Sequence, residues 1–398
     1  MADATYSGPL PDFEGDRFNT VPDVRTGGYL TPALPGETFE WPTVAQLDWN
    51  EDGLFDLLVG YNLRDPDVIR MVVYLNQGTV GAPAFTGEPG PATCFYLQTV
   101  FPGENAARIF ENAGYHHPHH PHKYAVFMPA VFDFDNDGLF DILVNEGVYD
   151  VQQKRGQWLL LNVGARGSPR FKAVYLHGDD VAGQLPPGPY VDAMALFHRP
   201  PGNTHFPVFS MVDWDSDGIA DIHYSSDSTH VMFGARDGHG NWLARDGAWR
   251  QQVPEGGERF GRIPFIVTPD LNGDGVNELI VASATNARAG TSDGYLSLFV
   301  RSPSRPAPKY VPAIDPLFSI NSDANPLLFP DFRWPWLFAD HGWWYPKIAV
   351  VDFDEDGDPD LIAGWGGGND QRQVGDRMYL YRTPGGVAGS RPRFARPQ

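Results

Sequence analysis

Five stretches of this 398-residue chain carry oxygen-bearing side chains at the same offsets around a glycine. They are Asp48, Asn50, Asp52, Asp56; Asp133, Asp135, Asp137, Asp141; Asp213, Asp215, Asp217, Asp221; Asp270, Asn272, Asp274, Glu278; and Asp352, Asp354, Asp356, Asp360. In every copy the oxygens fall at positions 1, 3, 5 and 9 and the glycine at position 6. Calcium is a hard cation that takes six to eight oxygens, so alternating side chains, a later carboxylate and one backbone carbonyl can wrap it. The carbonyl would come from position 7, which is Leu54, Leu139, Ile219, Val276 or Asp358. The glycine permits the sharp turn. Up to five structural calcium ions are therefore expected. An EF-hand is excluded, because it needs a glutamate at position 12 and a following helix. Position 12 here is Val59, Val144, Tyr224, Val281 or Ala363, within apolar runs that read as buried strand. The plainer alternative is five solvated acidic turns, in which carboxylates this crowded would repel one another.

A second kind of chemistry is offered by three long segments between these repeats. Tyr115-His116-His117-Pro118-His119-His120-Pro121-His122 holds five of the twelve histidines. Its prolines favour an extended chain with alternate rings facing one way. Histidine serves as acid or base near neutral pH or as a metal ligand. Zinc is thus a further candidate ion, although one loop supplies no fixed tetrahedral spacing. A solvated loop is the alternative. A second segment carries His198, Arg199 and His205, and a third carries Arg333, Trp334, Trp336, His341, Trp343, Trp344 and Tyr345. Tryptophan presents a flat apolar face with a polar edge, which suits stacking on sugar rings as well as plugging a long loop. Trp365, followed by glycines at 366 to 368, belongs with the same candidate substrate-binding group.

Together these residues fit elimination across a uronic acid. That reaction needs a cation on the carboxylate, a base for the acidified proton and an acid for the leaving oxygen. Arg199 or Arg333, His117 or His119, and Tyr115 or Tyr345 would supply the three, with His198 and His341 as further catalytic candidates. A glycoside hydrolase would need two facing carboxylates; Glu111, Asp192 and Asp340 are available, but no spacing selects a pair. A non-catalytic module, whether a lectin or an adhesion propeller, would need no titratable group at all.

The elements that must position these groups are legible around each loop. An apolar run precedes each copy: Val44 to Leu47, Ala125 to Phe132, Phe206 to Val212, Pro264 to Val267, Ile348 to Val351. A second strand follows, then a third and a fourth, for which Pro83-Ala84-Phe85, Pro169-Arg170-Phe171, Trp242, Lys309-Tyr310 and Pro392-Arg393-Phe394 are the expected sites. Such a unit is a four-stranded antiparallel meander of about 50 residues, the size of one propeller blade. The expected fold is all-β: a single β-propeller domain over 1–398, with blades near 41–87, 125–175, 206–253, 262–313 and 345–398. Residues 1–40 would close or cover the ring. Successive loops begin 85, 80, 57 and 82 residues apart. A doubled blade should add a full pitch, and these spacings fall short of twice 57, so five blades are favoured over seven. The long insertions at 88–124, 176–204 and 314–344 would then crowd the face opposite the calcium loops, where loops on a rigid scaffold usually carry function.

These loops and blades resemble the FG-GAP/VCBS repeat family, the calcium-bearing propeller blades also found in integrin heads and in polysaccharide lyases. The resemblance implies a calcium-binding β-propeller and permits carbohydrate binding or lyase activity.

Composition agrees with this picture. Gly 44 and Pro 37 supply turns, and 13% of residues are aromatic. The net charge of −21 disfavours nucleic acid and anionic membranes as partners. Much of that acidity is expected to be metal ligand. The one cysteine, Cys94, forms no internal disulfide. No apolar run reaches transmembrane length. Met1-Ala2-Asp3-Ala4 lacks a signal region, which suggests a mature form with an added methionine. Weak calcium modules work where calcium is millimolar, so a secreted, periplasmic or cell-surface protein is expected, monomeric and bound to a polysaccharide or other glycan.

Overall fold

The runs that flank each acidic loop are rich in Val, Ile, Leu and Phe, whose branched or aromatic side chains fit a pleated surface buried on both faces. The computed structural model describes residues 25, 30, 39–63, 69–97, 125–148, 157–176, 208–225, 228–246, 248–252, 264–270, 275–283, 295–301, 310–319, 347–357, 359–364 and 378–382, and it makes strands of these runs. The first sheet is the antiparallel meander β1 (Phe39–Leu47), β2 (Asp56–Leu63), β3 (Ile69–Tyr74), β4 (Cys94–Tyr96). The second repeats it with β5 (Ala125–Phe132), β6 (Asp141–Val148), β7 (Gln157–Asn162) and β8 (Phe171–Leu176).

In the third, β9 (Val208–Val212), β10 (Asp221–Ser225) and β11 (Thr229–Met232) are followed by a separate hairpin, β12 (Gly234–Arg236) with β13 (Trp242–Ala244). Only then does β14 (Arg250–Gln252) complete the sheet against β11. The fourth comprises β15 (Phe265–Val267), β16 (Leu279–Ser283), β17 (Tyr295–Arg301) and β18 (Tyr310–Ser319). The fifth shows β19 (Lys347–Val351), β20 (Asp360–Gly364) and β21 (Met378–Tyr381) among the described residues. The chain is thus all-β, built from antiparallel sheets that are mostly four-stranded. No helix among the described residues is long and apolar enough to cross a membrane.

Two of the expected fourth strands lie elsewhere. Pro83-Ala84-Phe85 is not the outer strand of the first sheet; β4 is. The Asn76 side-chain carbonyl accepts from the Gly78 and Ala84 amides at 2.9 and 3.0 Å, which curls this stretch, and Phe85 is fully buried. Trp242 is likewise not in the outer strand of the third sheet. Its amide donates to Phe134 O at 2.9 Å and its indole to Ala220 O at 2.6 Å, so it plugs the gap beside the second loop.

Apolar layers lie between the fifth and first, first and second, second and third, and third and fourth sheets, and strand alternation decides which residue joins which layer. In β2, Leu57, Val59 and Tyr61 pack with Val351, Phe353 and Ile362 of the fifth sheet, whereas Leu58 packs with Ile142, Val144 and Leu160 of the second. Leu143 of β6 faces Ile222 and Tyr224 of the third sheet, and Val231 of β11 faces Leu279 and Val281 of the fourth. Each such fully buried side chain contributes about 1.5–3 kcal/mol relative to exposure. The first strands neighbour one another in the order β1, β5, β9, β15, β19, and β19 neighbours β1.

Candidate metal centres

All five loops join the first strand of a sheet to the second, and the ones described share one hydrogen-bonding frame. The position-1 carboxylate accepts from the amides of positions 5 and 6: Asp48 from Asp52 and Gly53, both at 3.1 Å; Asp133 from Asp137 and Gly138 at 3.2 and 3.0 Å; Asp213 from Asp217 and Gly218 at 3.0 and 3.1 Å. Asp270 and Asp352 accept from Gly275 and Gly357 in the same way. The position-5 carboxylate accepts from the position-7 amide, as Asp137 does from Leu139 at 2.8 Å. The turn needs a left-handed residue at position 6, where Gly53, Gly138, Gly218, Gly275 and Gly357 have φ between 82° and 97°.

Position 4 is left-handed too, and there the residues are not glycine: Glu51, Asn136, Ser216 and Glu355, with φ between 55° and 59°. Each of these side chains reaches the next sheet. Glu51 pairs with Arg166 at 3.5 Å, Ser216 Oγ accepts from the Asn277 amide at 2.9 Å, and Glu355 accepts from the Phe55 amide at 3.3 Å. Asn136 lies against Gly240, where an added Cβ would sit 2.3 Å from its Nδ2. Sequence reasoning passed over position 4 because its residue type varies.

Position 9 has two roles. Asp56, Asp141, Asp221 and Asp360 are essentially buried, and each accepts from the position-2 amide of its own loop at 2.7–2.9 Å. The other oxygen of Asp56, Asp141 and Asp221 accepts from the amides of Asn76, Asn162 and Gly234, at or just past the end of the third strand, at 2.7–2.8 Å. Each of these aspartates therefore ties its loop to its own sheet, and its remaining lone pairs can still face a metal.

The donor set suits a hard cation. One oxygen each from Asp133, Asp135 and Asp141 can lie within 4.8 Å of one another, as can oxygens from Asp213, Asp215, Asp221 and from Asp352, Asp354, Asp356. Asp135 Oδ1, Asp352 Oδ1 and Asp354 Oδ1 are buried with no hydrogen-bond partner, a costly arrangement for a carboxylate unless a cation stands before it. Burial, followed by neighbouring carboxylates and against the pull of backbone amides, raises Asp56 to about 7 and Asp141 and Asp221 to about 8. Burial and the Asp356 charge raise Asp352 to about 6. Asp48, Asp135, Asp213 and Asp354 are raised as well, burial again leading. Sites that resist ionisation in this way are those whose charge a divalent ion would stabilise. Leu54, Leu139, Ile219 and Val276 stand at position 7 of their loops. Asn272, Asp274 and Asp358 lie outside the described residues.

So do all the candidates of the long segments: Tyr115, His117, His119, His198, Arg199, Arg333, His341, Tyr345, Trp334, Trp336, Trp343, Trp344 and Trp365. Lys347 and His223 are buried titratable groups that sequence reasoning did not single out. Lys347 begins β19, at the end away from the acidic loop, with its ammonium 5.6 Å from the Phe265 ring; burial lowers it to about 7. His223 of β10 is fully buried. Ser210 Oγ donates to Ile266 O at 2.9 Å, so His223 Nδ1 must donate to that oxygen across their 2.9 Å contact. The ring is then neutral with its proton on Nδ1, and burial followed by the His230 charge lowers it to about 3. Cys94 is buried.

No family model matches this chain, and no curated protein matches it. Among solved structures, one described as "Crystal Structure of A. japonicus CB05" aligns with 93% of this chain at 12% identity and a TM-score of 0.37. The chain spans 63% of the length of that structure's chain.

Proposed function

We propose that the chain is a calcium-held, five-bladed β-propeller of the FG-GAP/VCBS kind, secreted or displayed outside the cytosol, that cleaves a uronic-acid polysaccharide by β-elimination. The observation that carries the architecture is the cyclic order of the first strands, with β19 returning to β1. Three contacts support closure between the fifth and first sheets. The Asp352 amide donates to Gln46 Oε1 at 3.3 Å, Glu355 accepts from Phe55, and Gly364 abuts Pro42 so closely that a Cβ would lie 1.9 Å from its carbonyl oxygen. Up to five calcium ions would be structural, each neutralising a loop at one end of the sheets.

Connectivity supports an active face at the other end. The segments 98–124, 177–207 and 320–346 each lead into a first strand at the end away from its acidic loop, and 365–377 leaves β20 at that end. These segments hold every catalytic and aromatic candidate. Arg199 or Arg333 would neutralise the uronate carboxylate, and His117 or His119 would remove the proton beside it. The bond to the leaving glycosidic oxygen breaks as a carbon–carbon double bond forms, and Tyr115 or Tyr345 would protonate that oxygen, which departs as the hydroxyl of the released fragment. The tryptophans would stack on sugar rings at neighbouring positions.

The test is ultraviolet absorbance at about 235 nm, where the conjugated product of such an elimination absorbs, during incubation with uronic-acid polymers in millimolar calcium. A rising signal that is lost in His117→Ala, His119→Ala or Arg199→Ala is the expected result. A flat trace over a broad panel, with binding to one of the polymers retained, would replace the lyase with a glycan-binding module.

A further inference from the structure

The third acidic loop differs from the others in what stands before its carboxylates. Arg245 follows β13, and its guanidinium pairs with Asp215 through Nη1 at 2.5 Å and with Asp217 through Nη2. Three further contacts hold the group. Its Nε donates to Gly234 O at 3.0 Å, its own amide donates to Phe233 O at 2.8 Å, and its Cζ lies over the Phe233 ring, 5.6 Å from the ring centre. A planar fork held in this way is pre-organised to bridge two carboxylates.

Among the described residues no other loop shows a guanidinium bridging its carboxylates at positions 3 and 5. At the second, Arg166 bonds the carbonyl of Gly138 and Arg236 the carbonyl of Asp133; among the described residues no guanidinium bridges Asp135 and Asp137. At the fifth, Arg382 approaches Asp354 only to 3.7 Å while lying over the Phe353 ring. The hairpin β12–β13 that delivers Arg245 is also peculiar to the third sheet among those described.

We infer that Arg245 is a built-in cation that takes the place of calcium in the third loop, so that this loop keeps the shape of a metal site without binding the metal. Positions 3 and 5 supply two of the ligands a calcium ion would need, and both already face the guanidinium. The inference rests on the calcium assignment for the remaining loops, and one experiment separates the two.

Calcium bound per chain is counted by native mass spectrometry from millimolar calcium, using the full chain as wild type, Asp137→Ala, Asp217→Ala and Arg245→Met. Asp137→Ala should hold one ion fewer than wild type, Asp217→Ala the same number, and Arg245→Met one more. Asp217→Ala should also melt lower than wild type by the same amount in calcium and in chelator, because what it loses is an ion pair and not a metal. Loss of one ion in Asp217→Ala would overturn the inference while leaving the calcium assignment intact, as would an unchanged count in Arg245→Met. A wild type that holds no calcium, with Asp137→Ala indistinguishable from it, would overturn the assignment and the inference together. Should Arg245→Met fail to fold, the comparison of Asp137→Ala with Asp217→Ala decides alone.

Discussion

At the scale of the residue, the buried carboxylate at position 9 does more than its place in the motif suggests. The sequence marks Asp141 as a ligand because of its offset from Asp133, but the amides it binds belong to Phe134 and to Asn162, and the second is 21 residues away. No local pattern shows that partner. Replacing Asp141 with Ala strands two buried donors, which should lower unfolding free energy on the order of 4 kcal/mol even in chelator. Asp246→Ala, which removes an exposed i,i+4 partner of Arg250, should cost less than about 1 kcal/mol. Urea titrations of the two variants make the comparison, and equal losses would contradict the role given to position 9. His223 provides a pH test with a definite sign. Its folded value lies below the unfolded value of 6.5, so the unfolded state binds the extra proton and stability falls as pH drops below 6.5 towards about 3. Between pH 7 and pH 5 the loss should be about 2 kcal/mol, and His223→Gln should lack that share of the slope.

At the scale of the element, the loops and the second and third strands were legible, since apolar runs around a fixed acidic spacing leave little choice of structure. The outer strands were legible only in part: Phe171 begins β8 and Tyr310 begins β18 as expected, but β4 and β14 lie away from Pro83-Ala84-Phe85 and Trp242. Pro83-Ala84-Phe85 and Pro169-Arg170-Phe171 look alike in sequence, and both follow an Asn whose side chain holds a turn: Asn162 Oδ1 accepts from Gly164 and Arg170, each at 3.1 Å. Whether Phe then starts a strand, as Phe171 does, or plugs a core, as Phe85 does, depends on packing against another sheet. The turn itself makes a sharp prediction. A Cβ on Gly164 would lie 2.5 Å from both Ser168 O and the Arg170 amide nitrogen, and backbone cannot swing aside as a side chain can. Gly164→Ala should therefore destabilise by about 1–3 kcal/mol. Gly238→Ala, with nothing within 4 Å of the added atom, should leave thermal stability nearly unchanged.

At the scale of the whole molecule, the expectation of five units rested on five repeated loops and their spacing; among the described residues each loop joins two strands of an antiparallel sheet, and the first strands of these sheets neighbour one another. The left-handed residue at position 4 links the first, second, third and fifth loops to the following sheet, so metal at one loop would steady the contact with its neighbour. The proposed catalytic face was legible only as composition, because histidines and tryptophans in long connections carry no spacing that fixes their mutual geometry. Metal that binds only the folded chain stabilises it by mass action, about 2.7 kcal/mol per site at free calcium 100 times the dissociation constant. The most direct measurement is therefore the thermal unfolding curve in millimolar calcium against the same protein in excess chelator. A large fall in melting temperature on chelation, reversed by added calcium, is the predicted result. Superimposable curves would contradict a molecule held together by calcium at its loops.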